Sequence, residues 1–141
     1  MSIELNVQWP YVFTKFDGVQ TLADLDTYIA RMETEVHRRK QPYLGVSYLK
    51  NYTRDKEVVA RMQKWMAATK QFTRDYCVAI AMINSSTGFR FLLSAIFVIQ
   101  SMPCPYEVCG SFADAIAFVD KQADKRGLKH PAAKSPWPDV P

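Results

Sequence analysis

The stretch that decides the fold is Cys77-Val78-Ala79-Ile80-Ala81-Met82-Ile83, seven consecutive apolar residues that end at the polar Asn84. A continuous apolar run of this length is typical of a central β-strand that is covered on at least one face. Segments in which apolar residues recur at helical spacing lie before and after this run. Because strands and helices alternate around it, we predict an α/β protein.

Four more strands and four helices are predicted outward from this run. Strands are expected at 3–7, 11–16, 43–49 and 106–109, and the second of them stops at the turn pair Asp17-Gly18. The helices are expected after caps at Thr21 and Thr53, at about 87–101, and from the cap Ser111 to Gly127. The resulting order, β-β-α-β-α-β-α-β-α, predicts a single mixed, mainly parallel sheet with helices.

Composition limits the class of protein and its surroundings. The chain has 141 residues, of which 48% are hydrophobic and 23% charged, so it fits one folded domain, assigned to 1–128, with a proline-rich C-terminal tail at 129–141. The net charge is +4, and the basic residues are interleaved with acidic ones. No nucleic-acid partner is therefore expected. The longest apolar stretch, 91–99, is too short for a membrane span. Three cysteines and no secretory signal predict a cytoplasmic protein.

Two segments carry a resemblance to a known family. Residues 16–25 read Phe-Asp-Gly-Val-Gln-Thr-Leu-Ala-Asp-Leu, and residues 103–118 read Pro-Cys-Pro-Tyr-Glu-Val-Cys-Gly-Ser-Phe-Ala-Asp-Ala-Ile-Ala-Phe. Together with the element order over 3–126, they resemble the STAS and SpoIIAA-like domains of anti-sigma-factor antagonists. The likeness is greatest to the divergent bacterial SpoIIAA-like group. It implies a STAS-like fold and a regulatory role, and that group is also similar in fold to lipid-carrying sheet domains.

The chain departs from the family at the phosphorylation motif. STAS antagonists carry an Asp-Ser-Ser-Gly-like motif after the strand that follows the first helix, where residues 49–55 here read Leu-Lys-Asn-Tyr-Thr-Arg-Asp. Thr53 is a candidate phosphoacceptor there, and helix capping is its alternative role. A similar loop, Asn-Ser-Ser-Thr-Gly at 84–88, follows the next strand. Its Ser85 and Ser86 are candidates to bind an anion or accept a phosphate, with capping by Ser86 or Thr87 as the alternative.

No arrangement of reactive side chains predicts an enzyme. His37 is expected at a solvated, basic helix end and His130 in the tail, and neither has a carboxylate or cysteine at metal-ligand spacing. Cys104 and Cys109 are too far apart along an extended segment to form a disulfide, so both are interpreted as buried structural thiols. We therefore expect no catalytic residues, no metal and no cofactor.

The third helix, at about 87–101, carries more apolar surface than contact with a sheet requires. A helix on one side of a sheet buries an arc of roughly 100° or somewhat more, and here a second apolar stripe runs beside the first. Its residues are Phe89, Leu93 and Phe97. Such a stripe indicates either an exposed interaction surface or cover by another part of the chain.

Two functional hypotheses follow from this helix. The leading one is a non-enzymatic regulatory or scaffolding module that contacts another protein, or a second copy of itself, through the third helix. The alternative is a small-molecule or lipid-binding domain in which the same apolar arc, with Phe91, Met102 and Trp65, lines a pocket. A cavity of roughly several hundred Å³ would favour the alternative, whereas a solid core would exclude it.

Overall fold

The computed structural model describes residues 3–53, 55–100 and 102–141, without the side chains of Val19, Tyr52, Thr53 and residues 95–100. Over these residues the chain forms five strands and five α-helices, and a 3₁₀ turn at His37–Arg39 follows the first helix. In chain order the elements are β1 (Ile3–Gln8), β2 (Tyr11–Val19), α1 (Leu22–Glu35), β3 (Tyr43–Thr53), α2 (Lys56–Ala68), α3 (Lys70–Tyr76), β4 (Cys77–Ile83), α4 (Thr87–Gln100), β5 (Tyr106–Cys109) and α5 (Phe112–Lys125).

The strands form one mixed sheet in the order β1-β2-β3-β4-β5. β1 is antiparallel to β2, and each of the other neighbouring pairs is parallel. The α/β class and the single mixed sheet are therefore confirmed. The apolar run at 77–83 forms β4, which lies between β3 and β5, as expected of a central strand, and is covered on both faces.

Two of the predicted helix caps are confirmed. The Thr21 hydroxyl accepts a hydrogen bond from the Asp24 N–H at 3.1 Å, and the Ser111 hydroxyl accepts one from the Asp114 N–H at 3.2 Å. Each of these bonds satisfies a backbone donor that the first turn of a helix leaves without an intrahelical partner. The local sequence therefore determines where α1 and α5 begin.

The prediction of the second helix was wrong in two respects. Its cap is Asp55 and not Thr53, because the Asp55 carboxylate accepts two N–H groups of the first turn at 3.0 Å, while Thr53 is the last residue of β3. The helix is also interrupted at Thr69, whose hydroxyl donates to the Trp65 carbonyl oxygen at 2.9 Å. α2 and α3 are consequently two helices, and the element order contains one more helix than predicted.

Each face of the sheet packs against a different part of the chain. Helices α1 to α4 lie over one face, which we call the helical face, while α5 and residues 128–141 cover the other, which we call the tail face. The alternation along β2 shows this division. Tyr11 and Phe13 point to the tail face, whereas Val12 and Phe16 point to the helical face.

Residues 129–141, expected as a tail, pack along the tail face. Trp137 is 4% exposed and lies 5.6, 5.7 and 6.5 Å, between ring centroids, from three aromatic side chains. These are Phe13, Tyr48 and Phe112. Asp139 forms ion pairs with Lys15 and Lys50 of the neighbouring strands. The tail therefore contributes side chains to the same core as the preceding domain.

A polar cluster around His130 holds the beginning of the tail. His130 Nε2 lies 2.9 Å from Asp124 Oδ1, and Nδ1 lies 3.1 Å from the hydroxyl of Tyr11, which donates to Asp120 at 2.6 Å. The hydrogen bond with Asp124 and the nearby charge of Asp120 raise the pKa of His130. The doubly protonated ring suits this cluster because both ring nitrogens then donate to oxygen atoms.

We expect the contribution of His130 to stability to decrease as the pH rises. A base whose pKa is raised by folding stabilises the protein below its unfolded pKa of about 6.5 and loses that effect above its folded pKa. The difference in melting temperature between the wild type and His130→Gln should therefore be largest below about pH 6.5 and shrink as the pH is raised from there into the alkaline range. A difference that stays constant over this range would contradict this role for His130.

Candidate ligand-binding site

A cavity of about 570 Å³ lies on the helical face, between the sheet and helices α2, α3 and α4. Its volume is within the range of roughly 300–1,000 Å³ that is usual for small-molecule sites. Alternate residues of the three neighbouring strands form its floor. These are Val12, Thr14 and Phe16 of β2, Tyr43, Gly45, Ser47 and Leu49 of β3, and Ile80 and Met82 of β4.

Small residues in the middle of the floor keep this cavity open. Gly45 and Ser47 are alternate residues of β3, and Thr14 lies opposite Ser47 in the register with β2. A Cβ atom at Gly45 would lie 3.4 Å from Cγ1 of Ile80, which is ordinary van der Waals contact. The strand could therefore accept a side chain here, and that side chain would occupy the cavity.

Helix α2 contributes to the roof but buries little of its own surface. It packs against α1 and α3, and Val58 is its one buried residue among those described. Further along the helix, Met62 and Trp65 are half-buried and Met66 is 39% exposed, although all three line the cavity. The apolar side of α2 is thus shared between the core of the helical face, against which Met62 and Trp65 pack, and the cavity.

Methionine is concentrated around the cavity. Five of the six methionines in the chain line it, and they come from α1, α2, β4 and the segment before β5. They are Met32, Met62, Met66, Met82 and Met102. Methionine side chains are flexible and polarisable, so a wall rich in them adapts to the shape of an apolar ligand.

One end of the cavity is polar. Thr69, Lys70 and Thr73 lie there with His37, near the beginning of β3 at Tyr43. Lys70 is the one charged side chain among the described residues that line the cavity, and no carboxylate in the described part of the chain forms an ion pair with it. An acidic group of a ligand would therefore find its counterion at this end.

His37 belongs to the same end but does not supply a positive charge. It is half-buried, with its ring centroid 5.5 Å from that of Trp65 and 4.0 Å from that of Phe72. This burial lowers the pKa of His37, so the ring is neutral at neutral pH. The expectation of a solvated histidine at a helix end was wrong because α2 and α3 fold back over it.

The opposite end of the cavity is apolar. It is lined by Leu49, the last residue of β3 in the floor, by Met82 of β4, and by Phe89, Leu92 and Leu93 of α4. The exposed Lys70 and the half-buried Thr73 thus lie at the Tyr43 end, which Met102 and Pro103 also border, whereas the Leu49 end is apolar. Tyr43 and Leu49, six residues apart in an extended strand, are separated by about 20 Å, which makes the cavity elongated.

The residues of the predicted apolar stripe are divided by the structure. Phe89 and Leu93 are half-buried and both line the cavity, while the side chain of Phe97 lies outside the described residues. Of the residues expected to complete a pocket, Met102 and Trp65 line the cavity. Phe91 does not line it, and with 79% of its surface exposed it points outward.

The other candidate residues lie in the loop before α4 and at the end of β3. The Ser86 hydroxyl accepts the Phe89 N–H at 3.2 Å, and its own N–H donates to the Asn84 side chain at 2.8 Å, so Ser86 has the capping role that was the alternative for it. Ser85 is exposed in the same loop. Thr53 is the last residue of β3, and its side chain is outside the described residues.

The polar end of this cavity was not predicted from the sequence. Lys70 and Thr73 carry no local pattern that separates them from the other polar residues of a surface helix. One usable signal was Gly45, since glycine inside a strand often marks a close approach of another group. Gly45 lies between the apolar residues Leu44 and Val46 of a predicted strand, a place where a β-branched side chain is otherwise favoured.

No family model, characterised protein or solved structure matches the chain. Among the described residues, none of the helices has both the length and the apolar character required to cross a lipid bilayer. Inferences about function therefore depend on the cavity itself.

Proposed function

We propose that this protein is a non-enzymatic, STAS-like binding domain that holds a single-chain amphiphile with an acidic head group in the cavity on the helical face. The observation that carries the proposal is an elongated cavity of about 570 Å³ with Lys70 at one end and leucine and phenylalanine side chains at the other. The acidic group lies at Lys70, and the acyl chain runs along β3 toward Phe89 and Leu93.

The apolar chain supplies most of the binding free energy. Transfer of one methylene group out of water contributes about 0.8 kcal/mol, so roughly ten of them contribute about 8 kcal/mol before the costs of association. A free energy of that size corresponds to a dissociation constant of about 1 μM. Because the loss of freedom on association opposes this term, we expect a dissociation constant above about 1 μM.

Fluorescence titration with dansyl-labelled undecanoic acid tests the proposal. We expect saturable binding at one site per chain, a blue shift of the dansyl emission, and displacement of the probe by unlabelled dodecanoate. Signal that rises linearly with the probe, or that dodecanoate does not displace, would contradict a specific site. Melting curves recorded on the same samples show whether the protein is folded during the titration.

Lys70→Glu should weaken binding of the acid more than binding of the corresponding alcohol. Replacing the ammonium group by a carboxylate puts like charges at the polar end, and we expect the dissociation constant for dodecanoate to rise about ten-fold. The constant for dodecanol should change by less than about two-fold, because the alcohol carries no charge. Lys64→Glu is the matched control, since Lys64 is exposed on α2 and does not line the cavity.

A second candidate function is supported by the outer side of α4. Phe91 is 79% exposed and Leu92 is 49% exposed, and two adjacent large apolar side chains at a surface favour contact with another protein or a second copy. This is the regulatory or scaffolding role expected from the sequence, although carried by different residues of the helix. Phe91 lies outside the cavity, whereas Leu92 also borders its apolar end, so a partner on this surface and a ligand in the cavity would meet at Leu92.

A further inference from the structure

Two cysteines that are distant in sequence meet on the helical face of the sheet. The sulfur atoms of Cys77 and Cys104 are 3.7 Å apart, and both residues are buried. Cys77 is the first residue of β4, whereas Cys104 lies in the segment between α4 and β5. The third cysteine, Cys109, belongs to the core of the tail face and has no such partner among the described residues.

The local structure favours a short approach of these two sulfur atoms. Cys77 is fixed by the ladder between β3 and β4, where it pairs with Tyr43. Cys104 lies between Pro103 and Pro105, outside any helix or strand. The Pro105 carbonyl oxygen accepts the Ile80 N–H of β4 at 3.0 Å, so Cys104 approaches Cys77 by a small shift of the chain on the N-terminal side of Pro105. A disulfide requires a sulfur separation of about 2.05 Å, less than 2 Å closer than the observed one.

We propose that Cys77 and Cys104 form a reversible dithiol–disulfide pair that is oxidised by hydroperoxides. The thiolate of Cys104 attacks one oxygen of the peroxide, so that an S–O bond forms and the O–O bond breaks, releasing an alcohol or water after protonation. Cys104 is then a sulfenic acid. The sulfur of Cys77 attacks it, the S–S bond forms, the S–O bond breaks, and water leaves with the proton of Cys77. The two thiols supply the two electrons that reduce the peroxide.

The surroundings assign these two roles to the cysteines. The hydrogen bond with Cys77 lowers the pKa of Cys104, and the same contact together with burial raises the pKa of Cys77. The thiolate therefore forms first on Cys104, which is also the more exposed of the two. For Cys109, burial and the nearby carboxylates raise the pKa to about 11, so it reacts slowly and serves as an internal control.

The pair also adjoins the proposed ligand site. Met102 and Pro103, which directly precede Cys104, line the cavity. Tyr43 also lines it, and the hydroxyl of Tyr43 forms a hydrogen bond with the sulfur of Cys77. Drawing Cys104 toward Cys77 would move the edge of the cavity. Oxidation and ligand binding are nevertheless separate properties, because the disulfide can form whether or not a ligand is present.

Peptide mapping of the full-length native protein after hydrogen peroxide treatment tests this inference. Cleavage after Arg90 and Glu107 separates the three cysteines into different peptides. We expect one linked peptide pair joining Cys77 to Cys104, which dithiothreitol releases, and a free thiol at Cys109. In Cys77→Ser, Cys104 should stop at a sulfenic acid that dimedone traps, whereas Cys109→Ser should form the link as the wild type does.

Three results would overturn the inference. The first is the absence of the linked pair while the protein remains folded by circular dichroism. The second is oxidation of Cys104 directly to a sulfinic acid in the wild type, and the third is a link that involves Cys109. Melting curves of Cys77→Ser and Cys109→Ser show whether either substitution disturbs the fold, and trapping of the sulfenic acid does not depend on a disulfide being formed.

Discussion

Gly45→Leu should abolish binding of the acyl probe and leave the fold intact. Gly45 is in the middle of the cavity floor. A Cβ atom added there makes only ordinary van der Waals contacts. The rest of the leucine then occupies the space in which we place the acyl chain. Glycine inside a strand also costs roughly 0.5–1 kcal/mol relative to alanine, so its replacement should not lower the melting temperature. We expect the dissociation constant to rise at least about 30-fold, equivalent to about 2 kcal/mol.

Gly88→Leu is the matched control for this substitution. Gly88 is exposed in the first turn of α4, and nothing lies within 4 Å of a Cβ atom placed there. The same side chain is thereby added outside the cavity, and binding should remain within about two-fold of the wild type. Unchanged probe binding by a folded Gly45→Leu protein would show that the ligand does not lie on the cavity floor.

Trp137→Ala should cause the largest loss of stability among the substitutions considered. Truncation of a buried tryptophan to alanine costs about 3–5 kcal/mol, since the contacts are lost and a cavity is left behind. Here the contacts are with Phe13, Tyr48 and Phe112 on the tail face. Urea denaturation followed by circular dichroism measures the change in the free energy of unfolding.

The control for Trp137 uses a second tryptophan of the chain. Trp9 is half-buried, and Arg39 lies over its ring at 4.4 Å, so Trp9→Ala should cost clearly less. Removal of residues 129–141 should destabilise the protein at least as much as Trp137→Ala, because it exposes the same aromatic rings. A truncated chain with an unchanged unfolding midpoint would contradict a structural role for the tail.

Two of the strands could be predicted well because their signals are local. The apolar run 77–83 has the same ends in the sequence and in the structure, and so has the strand 106–109 that follows Pro105. The second strand was predicted too short, since Gly18, with a φ of +70°, allows β2 to continue through the turn signal as an irregular pairing. Local signals thus identify a strand more reliably than they locate its end.

The functional site was harder to predict because it depends on distances between elements. Periodicity indicated that α4 carries two apolar stripes, but it does not determine whether a stripe faces solvent or a gap above the sheet. Phe89 and Leu93 are directed at that gap. Similarly, the composition of residues 129–141 is typical of an extended tail, and only tertiary packing places Trp137 against Phe13 and Tyr48.

Methyl NMR with ¹³C-labelled methionine tests the central claim most directly, because Met32, Met62, Met66, Met82 and Met102 surround the cavity. On addition of dodecanoate to the wild type we expect the methyl resonances of these residues to shift together, and the shifts to saturate at one ligand per chain. In the Gly45→Leu protein the same resonances should not shift. Contacts between ligand and methyl groups should show the acyl chain beside Met82. Methyl resonances of the folded wild-type protein that do not move at saturating dodecanoate would contradict the claim that this cavity binds an acyl chain.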